Sequence, residues 1–287
     1  MPESPPEEFR QGVPAGEYHA RLANVRAAMS ERSLSALVVT DPANLFYLTG
    51  YDAWSFYTPQ CLVVPADGEM RLFARAMDAA GAHLTASLPT DRIHGYPEEL
   101  VHRPDTHPFD WITARALEHG CLTDSAESTV AVEGDSHFFS ARSYLALTAG
   151  LPRSRVVDSA ELVNWVRLVN TAAVVRDGMQ EALAALVPGA TGSDVHSAFH
   201  AVISRHGLRK DSRIGYSIGI GYPPDWGERT VSLRAEETTV LAPGMAFHVI
   251  LGMWMDGWGY ELSEPVVVTE SGAERLTDLP QDLTIRR

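Results

Sequence analysis

The hydrophobic periodicity of this chain changes character near residue 165, so it must fold as two dissimilar parts. Before that point, short apolar runs alternate with amphipathic stretches. Tyr18, Leu22, Val25 and Met29 fall at three- and four-residue intervals and predict a helix over 16–32. LSALVVT (34–40) is a buried strand ending at the breaker Asp41-Pro42, and strands at 61–65 and 71–74 flank the turn dipeptide Asp67-Gly68. Helical patterns at 76–87, 110–119 and 140–149 interleave with strands near 129–133 and 155–157. Interleaving of this kind predicts an α/β domain over 12–168. Beyond it, helices at 172–186 and 192–206 precede strand-like runs at 216–222, 230–233, 245–255 and 260–269. Helices followed by strands, without alternation, predict an α+β domain over 170–287.

No apolar run approaches the length that spans a bilayer, and no basic leader precedes an apolar stretch, so the expectation is a cytoplasmic protein with no membrane partner. A net charge of −14 argues against nucleic acid, whose phosphates require clustered Lys and Arg. It suits a cationic or zwitterionic small molecule, and a solubilising surface equally well. Lys210 is the single lysine beside 22 arginines, a bias that reads as codon composition. Cys61 and Cys121 have no metal-ligand spacing, which fits a reducing compartment.

Chemistry-bearing side chains concentrate between Tyr216 and Glu264. Trp226, Trp254 and Trp258 are interleaved there with Asp225, Glu228, Asp256, Glu261 and Glu264, and with Arg229 and His248. Indole faces and carboxylates together make a site for a desolvated cation. The plainer alternative is that the aromatics fill a core. Nucleophile-elbow, phosphate-loop and HExxH patterns are absent. His196 and His200 stand at i, i+4, but no Glu or Cys beside them completes a ligand set, and they read as a solvated helix face.

Several long segments carry a resemblance. DPANLFYLTGYDAWSFYTPQ (41–60), HGYPEE (94–99), HPFDW (107–111) and VEGDSHFFSARSYLALTAGLP (132–152) resemble the ectoine hydrolases of the creatinase/prolidase superfamily. So do LVNWVRLV (162–169), RIGYSIGIGYPPDWGERTVSLR (213–234) and PGMAFHVILGMWMDGWGYELSE (243–264). The resemblance implies a creatinase-type N-terminal α/β domain, a C-terminal pita-bread domain and water attack on a small cyclic amidine. It also implies a loss. A pita-bread domain has two similar halves, whereas here LVNWVRLV runs straight into one helix pair, so the first half, with its catalytic histidine and acidic groups, is missing.

In the half that remains, positions where metal-dependent relatives place ligands hold Tyr216, Ile250 and Ser263. The resemblance therefore implies no metal and no other cofactor. Residues two apart on a strand share a face. If Ile250 and Ser263 face the cavity, then His248, Trp254, Asp256 and Glu261 face it too, while Glu264 does not. His248 and Glu261 are thus candidate catalytic groups, with Glu228 a third. Tyr216, Trp226, Arg229, Trp254 and Asp256 are candidate substrate contacts. Trp54, in an aromatic loop with Tyr51, Phe56 and Tyr57, is a further contact, reaching a neighbouring subunit's pocket or packing within its own domain. Half a pita-bread leaves an uncovered face, which predicts a homodimer or, alternatively, a separate chain that supplies the missing half. Two functional readings follow: a metal-independent enzyme opening or closing a small amidine-like ring, or a non-catalytic binding or partner protein that keeps the pocket.

Overall fold

The computed structural model describes residues 13–52, 57–219, 230–255 and 258–283. The chain forms two compact units, Met1–Val166 and Arg167–Arg287. The domain boundary expected at 168–170 falls inside a single 24-residue helix, Leu162–Ala185.

The first unit contains α1 (Ala15–Glu31), β1 (Ala36–Val39), α2 (Pro42–Thr49), β2 (Cys61–Pro65), β3 (Arg71–Arg75), α3 (Ala76–Thr85) and β4 (Ile93–Tyr96). It continues with α4 (Pro108–Glu118), β5 (Thr129–Val132), α5 (Ala141–Gly150) and β6 (Arg155–Asp158). The strands make one mixed sheet in the order β4-β3-β2-β1-β5-β6. The β1/β2 and β2/β3 pairs are antiparallel, and the others are parallel. All four residues of β1 are buried because both faces of the sheet are covered. Leu37 and Val39 join one core with Val25, Met29, Leu45 and Leu48. Ala36 and Val38 join the other with Phe109, Ile112 and Leu147.

Two elements depart from the sequence reading. Asp41-Pro42 does end a strand, but it also starts α2. The Asp41 side chain accepts from the backbone N–H of Ala43 at 2.9 Å, and Pro42 occupies the first turn, where its missing N–H costs nothing. The same two residues therefore serve as a stop and a start. Strand β4 also forms where no strand was expected, pairing parallel with β3 from Leu72–Ile93 to Arg75–Tyr96.

Where β1 and β5 end side by side, Glu133 is buried. Its carboxylate accepts from the Thr40 and Asp41 N–H groups and from Asn44 Nδ2, each at 2.7 Å. Burial raises its pKa to about 7, with the donated hydrogen bonds opposing the rise. The folded value lies above the ordinary ~4.3 of an unfolded chain. The folded state therefore holds the proton over the interval between, so this contribution to stability is full below about 4.3 and is lost as pH climbs through about 7. We expect the melting temperature to fall between pH 5 and pH 8, and Glu133→Gln to flatten that slope. A slope unchanged in the variant would assign it to other groups.

The second unit holds the rest of α6 (Leu162–Ala185), then α7 (Gly192–Arg205), β7 (Gly215–Ile218), β8 (Ser232–Leu233), β9 (Ala246–Met255), β10 (Trp258–Thr269) and β11 (Gly272–Arg275). Thr191 and Asp194 form a reciprocal capping box at the start of α7. The sheet is antiparallel throughout, in the order β11-β10-β9-β7-β8. Val175, Met179, Phe199 and Ile203 from the helices pack on Phe247, Val249, Leu251, Val266 and Val268. Among the described residues, no helix is long and apolar enough to cross a membrane.

Candidate active site

Strand β9 alternates sharply. Phe247, Val249, Leu251 and Met253 are buried against the helices, whereas His248 and Ile250 are half-buried and Trp254 is 76% exposed. The antiparallel register sets Tyr216 and Pro265 opposite His248, Ser263 opposite Ile250, Glu261 opposite Gly252, and Gly259 opposite Trp254. Directly paired residues project to the same side. Tyr216, His248, Ile250, Trp254, Glu261 and Ser263 therefore share the face turned away from the helices. Glu264 lies on the other face, only 2% exposed. There it pairs with Arg275 at 2.8 Å and accepts from Gln281 Nε2 at 2.6 Å and Thr277 Oγ1 at 3.2 Å. Its role is to anchor the segment after β11.

The open face carries two separate clusters. In the first, Tyr216 Oη and His248 Nδ1 are 2.9 Å apart, with the rings edge to face at 5.3 Å. The Arg213 guanidinium lies 4.7 Å from the Tyr216 ring centroid. In the second, Trp254 lies across bare backbone. A Cβ on Gly259 would meet its ring at 2.6 Å, and one on Gly252 would meet its Nε1 at 3.3 Å and Glu261 Oε2 at 3.2 Å. Glycine at both positions lets the indole lie down beside the Glu261 carboxylate, leaving its upper face open to a cation. Four residues of β9 separate the level of His248 from that of Glu261, about 13 Å along the strand. These two groups share a face but do not form a hydrogen-bonded pair.

Lys210, which the sequence reading set aside, joins the second cluster. It is 8% exposed, and its Nζ donates to Gly252 O at 2.7 Å and to Ser212 Oγ at 2.9 Å. Burial lowers its pKa, and the charge of Glu261 works in the opposite direction. Being the single lysine was the signal that it holds a specific place. The solvated-face reading of His196 and His200 is corrected. Their rings stack at 4.0 Å, burial lowers both pKa values, and they line a cavity of about 470 Å³ with Lys210, Arg213 and Arg234. They sit on the shoulder of the α7 apolar stripe, one position beyond Val195 and Phe199, and so are drawn partly under cover. Trp54, Trp226, Glu228, Arg229 and Asp256 lie outside the described residues.

With this geometry in place, the family can be stated. Residues 21–169 match the creatinase/prolidase N-terminal domain and 148–270 match metallopeptidase family M24. The chain belongs to the creatinase/prolidase superfamily. It is 29% identical to the ectoine hydrolase of Halomonas elongata over 392 positions, covering 94% of this chain and 97% of that protein. It is 38% identical to the agropine synthesis cyclase of Rhizobium rhizogenes over 111 residues, 38% of this chain and 27% of that one. Among solved structures, dipeptidase PepE of Mycobacterium ulcerans aligns with a TM-score of 0.38 at 18% identity, over 93% of this chain and 97% of that one. In the ectoine hydrolase alignment, 94% of 287 residues is about 270, so about 122 of the 392 positions stand opposite no residue here.

Membership of a metallopeptidase family raises the question of a metal. Among the described residues, no three His, Cys, Asp or Glu side chains converge to hold one. On the open face His248 Nδ1 is engaged by Tyr216, Glu261 lies four residues away, and Ile250 and Ser263 stand between them. A transition-metal ion takes several convergent N, O or S donors, and these residues do not fit it.

The two-faced character of β9 has a direct check. Phe247→Ala, on the helix side, should cost about 3–5 kcal/mol of stability. Trp254→Ala, on the open side, should cost less than about 1 kcal/mol. Denaturant titration of both variants tests this, and equal losses would mean that Trp254 is packed in the folded protein.

Proposed function

We propose that this protein is a metal-independent enzyme acting on a C–N bond of a small cyclic amidine or related zwitterion, an ectoine-like ring being the nearest model. The observation that carries the reading is the second cluster. A carboxylate, Glu261, stands beside an exposed indole, Trp254, on a face of the sheet left open by the helices. That combination recognises an amidinium through the π face and the charge. Glu261 then takes a proton from the water that attacks the ring carbon between the nitrogens. As the ring C–N bond breaks, that proton and the proton of the adduct's hydroxyl pass to the departing nitrogen, which leaves as an ammonium while the hydroxyl oxygen becomes the amide carbonyl. Ring closure is the same path reversed. The relatives support both directions, one being named a hydrolase of ectoine and the other a cyclase.

In this reading Tyr216 and His248 hold a more distant part of the ligand. Trp226, Glu228, Arg229 and Asp256 complete the site, with Trp54 as a further substrate contact. In the same reading, loss of the first pita-bread half accounts for the 122 or so unmatched positions of the ectoine hydrolase alignment. A second copy covers the face it leaves open, making a homodimer. The alternative, a binding protein without turnover, has no specific observation in its favour.

The test is proton NMR of the protein with ectoine and an excess of a strong chelator. Appearance of ring-opened N-acetyl-diaminobutyrate is the expected outcome, with Glu261→Gln slowing it about 100-fold or more. Turnover that stops on chelation, or that survives Glu261→Gln unchanged, would overturn the assignment. Light scattering should give twice the chain mass, and a monomer would remove the dimer.

A further inference from the structure

The first unit of this acidic chain holds a cavity of the opposite character. It has a volume of about 260 Å³ and lies where the starts of α4 and α5 approach one another. His102, Arg103, His107, His137 and Arg142 line it. The chain carries 37 Asp and Glu against 23 Lys and Arg, yet among the described residues no carboxylate side chain lines this cavity. The cavity beside α7 differs, since Asp211 and Glu236 stand among its basic groups. Two arginines and three histidines gathered without an acid, in a protein of net charge −14, make a local field that draws anions.

Arg142 is the fixed point of the cavity. Its Nη1 donates to Arg103 O at 3.0 Å, and its Nη2 donates to Pro104 O at 3.1 Å and Thr106 O at 3.2 Å. Carbonyls hold a guanidinium in place without cancelling its charge, and three bonds leave part of its five-donor fork for an oxyanion. Arg142 is also the second residue of α5, where the positive end of the helix dipole disfavours a cation, and that first turn has no acidic residue to offset it. His107 Nδ1 accepts from the Phe109 N–H at 3.2 Å, so in the neutral ring the proton sits on Nε2, as a donor. Ser140 and Ser143 add hydroxyls 2.9 Å apart. The two acids close by in sequence are engaged outside the cavity wall. Asp110 accepts from the His107 N–H at 2.8 Å, and Asp105 pairs loosely with Arg103 at 3.8 Å.

We propose that this cavity binds a phosphate group, free or carried on a small molecule, with Arg142 as its main anchor and Arg103 and the three histidines around it. The basic groups outnumber what a single carboxylate can use. They come from three segments, 102–107, His137 and the first turn of α5, and so surround the ligand instead of gripping one edge. That arrangement suits a tetrahedral group with three acceptor oxygens. The volume falls just under the ~300–1,000 Å³ of drug-sized ligand sites, which limits the ligand to a phosphate with a few further atoms. Leu100, Val101 and Phe138 supply apolar wall for those atoms. The site lies wholly within the first unit and does not rest on the reaction proposed for the open face.

The test is titration of the full chain with inorganic phosphate at fixed pH and ionic strength, followed by the histidine ring resonances. Variants His102→Gln, His107→Gln and His137→Gln assign the three signals of the cavity. These three should move together along one saturating curve, while His196 and His200, beside their own acids, stay in place. Arg142→Met should weaken binding about tenfold or more. Arg103→Gln and His137→Gln, at exposed side chains, should each weaken it about two- to fivefold. These two variants leave the three bonds of Arg142 to the 103–106 carbonyls in place, so a decision is reached even if Arg142→Met fails to fold. Tighter binding of glycerol phosphate than of inorganic phosphate would assign the site to an ester, and the reverse to the free ion. Shifts that drift without saturating at tens of millimolar would overturn the proposal. So would binding indifferent to all three variants, or phosphate that moves His196 and His200 instead. Malonate that binds the same cavity more tightly than either phosphate would overturn the choice of ligand class.

Discussion

The ten-residue ladder between β9 and β10, from Ala246–Val267 to Met255–Trp258, is the constraint on which the second unit depends. A slip of one residue would turn every side chain of a strand to the opposite face. Phe247, Val249 and Leu251 would leave the helices and His248 and Ile250 would enter the core. The cost of burying a polar imidazole in place of Phe247 is what pins the register. Once it is pinned, the chemistry on the other face follows without further choice. Glu261 must stand opposite Gly252, and Glu264 must be sent to the helix side, where Arg275 and Gln281 meet it.

The same ladder explains why two acidic residues three apart have such different roles. Glu264 is buried, and its charge is offset by Arg275 and two hydrogen-bond donors, the arrangement a buried carboxylate requires. Glu261 is exposed on the open face, close to the bare backbone of Gly252 and the indole of Trp254. Residue type and neighbouring sequence do not distinguish the two glutamates. Strand parity does.

Much of this was legible in the sequence. The change from alternating to grouped elements, the buried strand at 36–39, the hairpin about Asp67-Gly68 and the shared face of His248, Trp254 and Glu261 all follow from period-two and period-3.6 spacing. What escaped was of two kinds. Helix α2 was hidden because Asp41-Pro42 ends one element and caps the next, and a breaker signal does not say which. The separation of His248 from Glu261 was hidden because parity gives the face but not the level. The level depends on which residue of β9 stands opposite which of β10, and that is set by pairing across a turn whose length the spacing does not fix. Lys210 escaped for a related reason. Besides the nearby Ser212, its ammonium donates to the carbonyl of Gly252, 42 residues away, and no local pattern links the two.

The separation of the two clusters also constrains any ligand. A small ring lying on Trp254 beside Glu261 is about 13 Å along the strand from His248 and cannot touch both. A single-ring substrate would use one cluster for its chemistry and leave the Tyr216–His248 pair to a substituent or to the wall of the site. A longer, branched molecule would engage both. If the open face is the substrate site proposed above, it sets a choice of substrate length that is independent of which bond reacts.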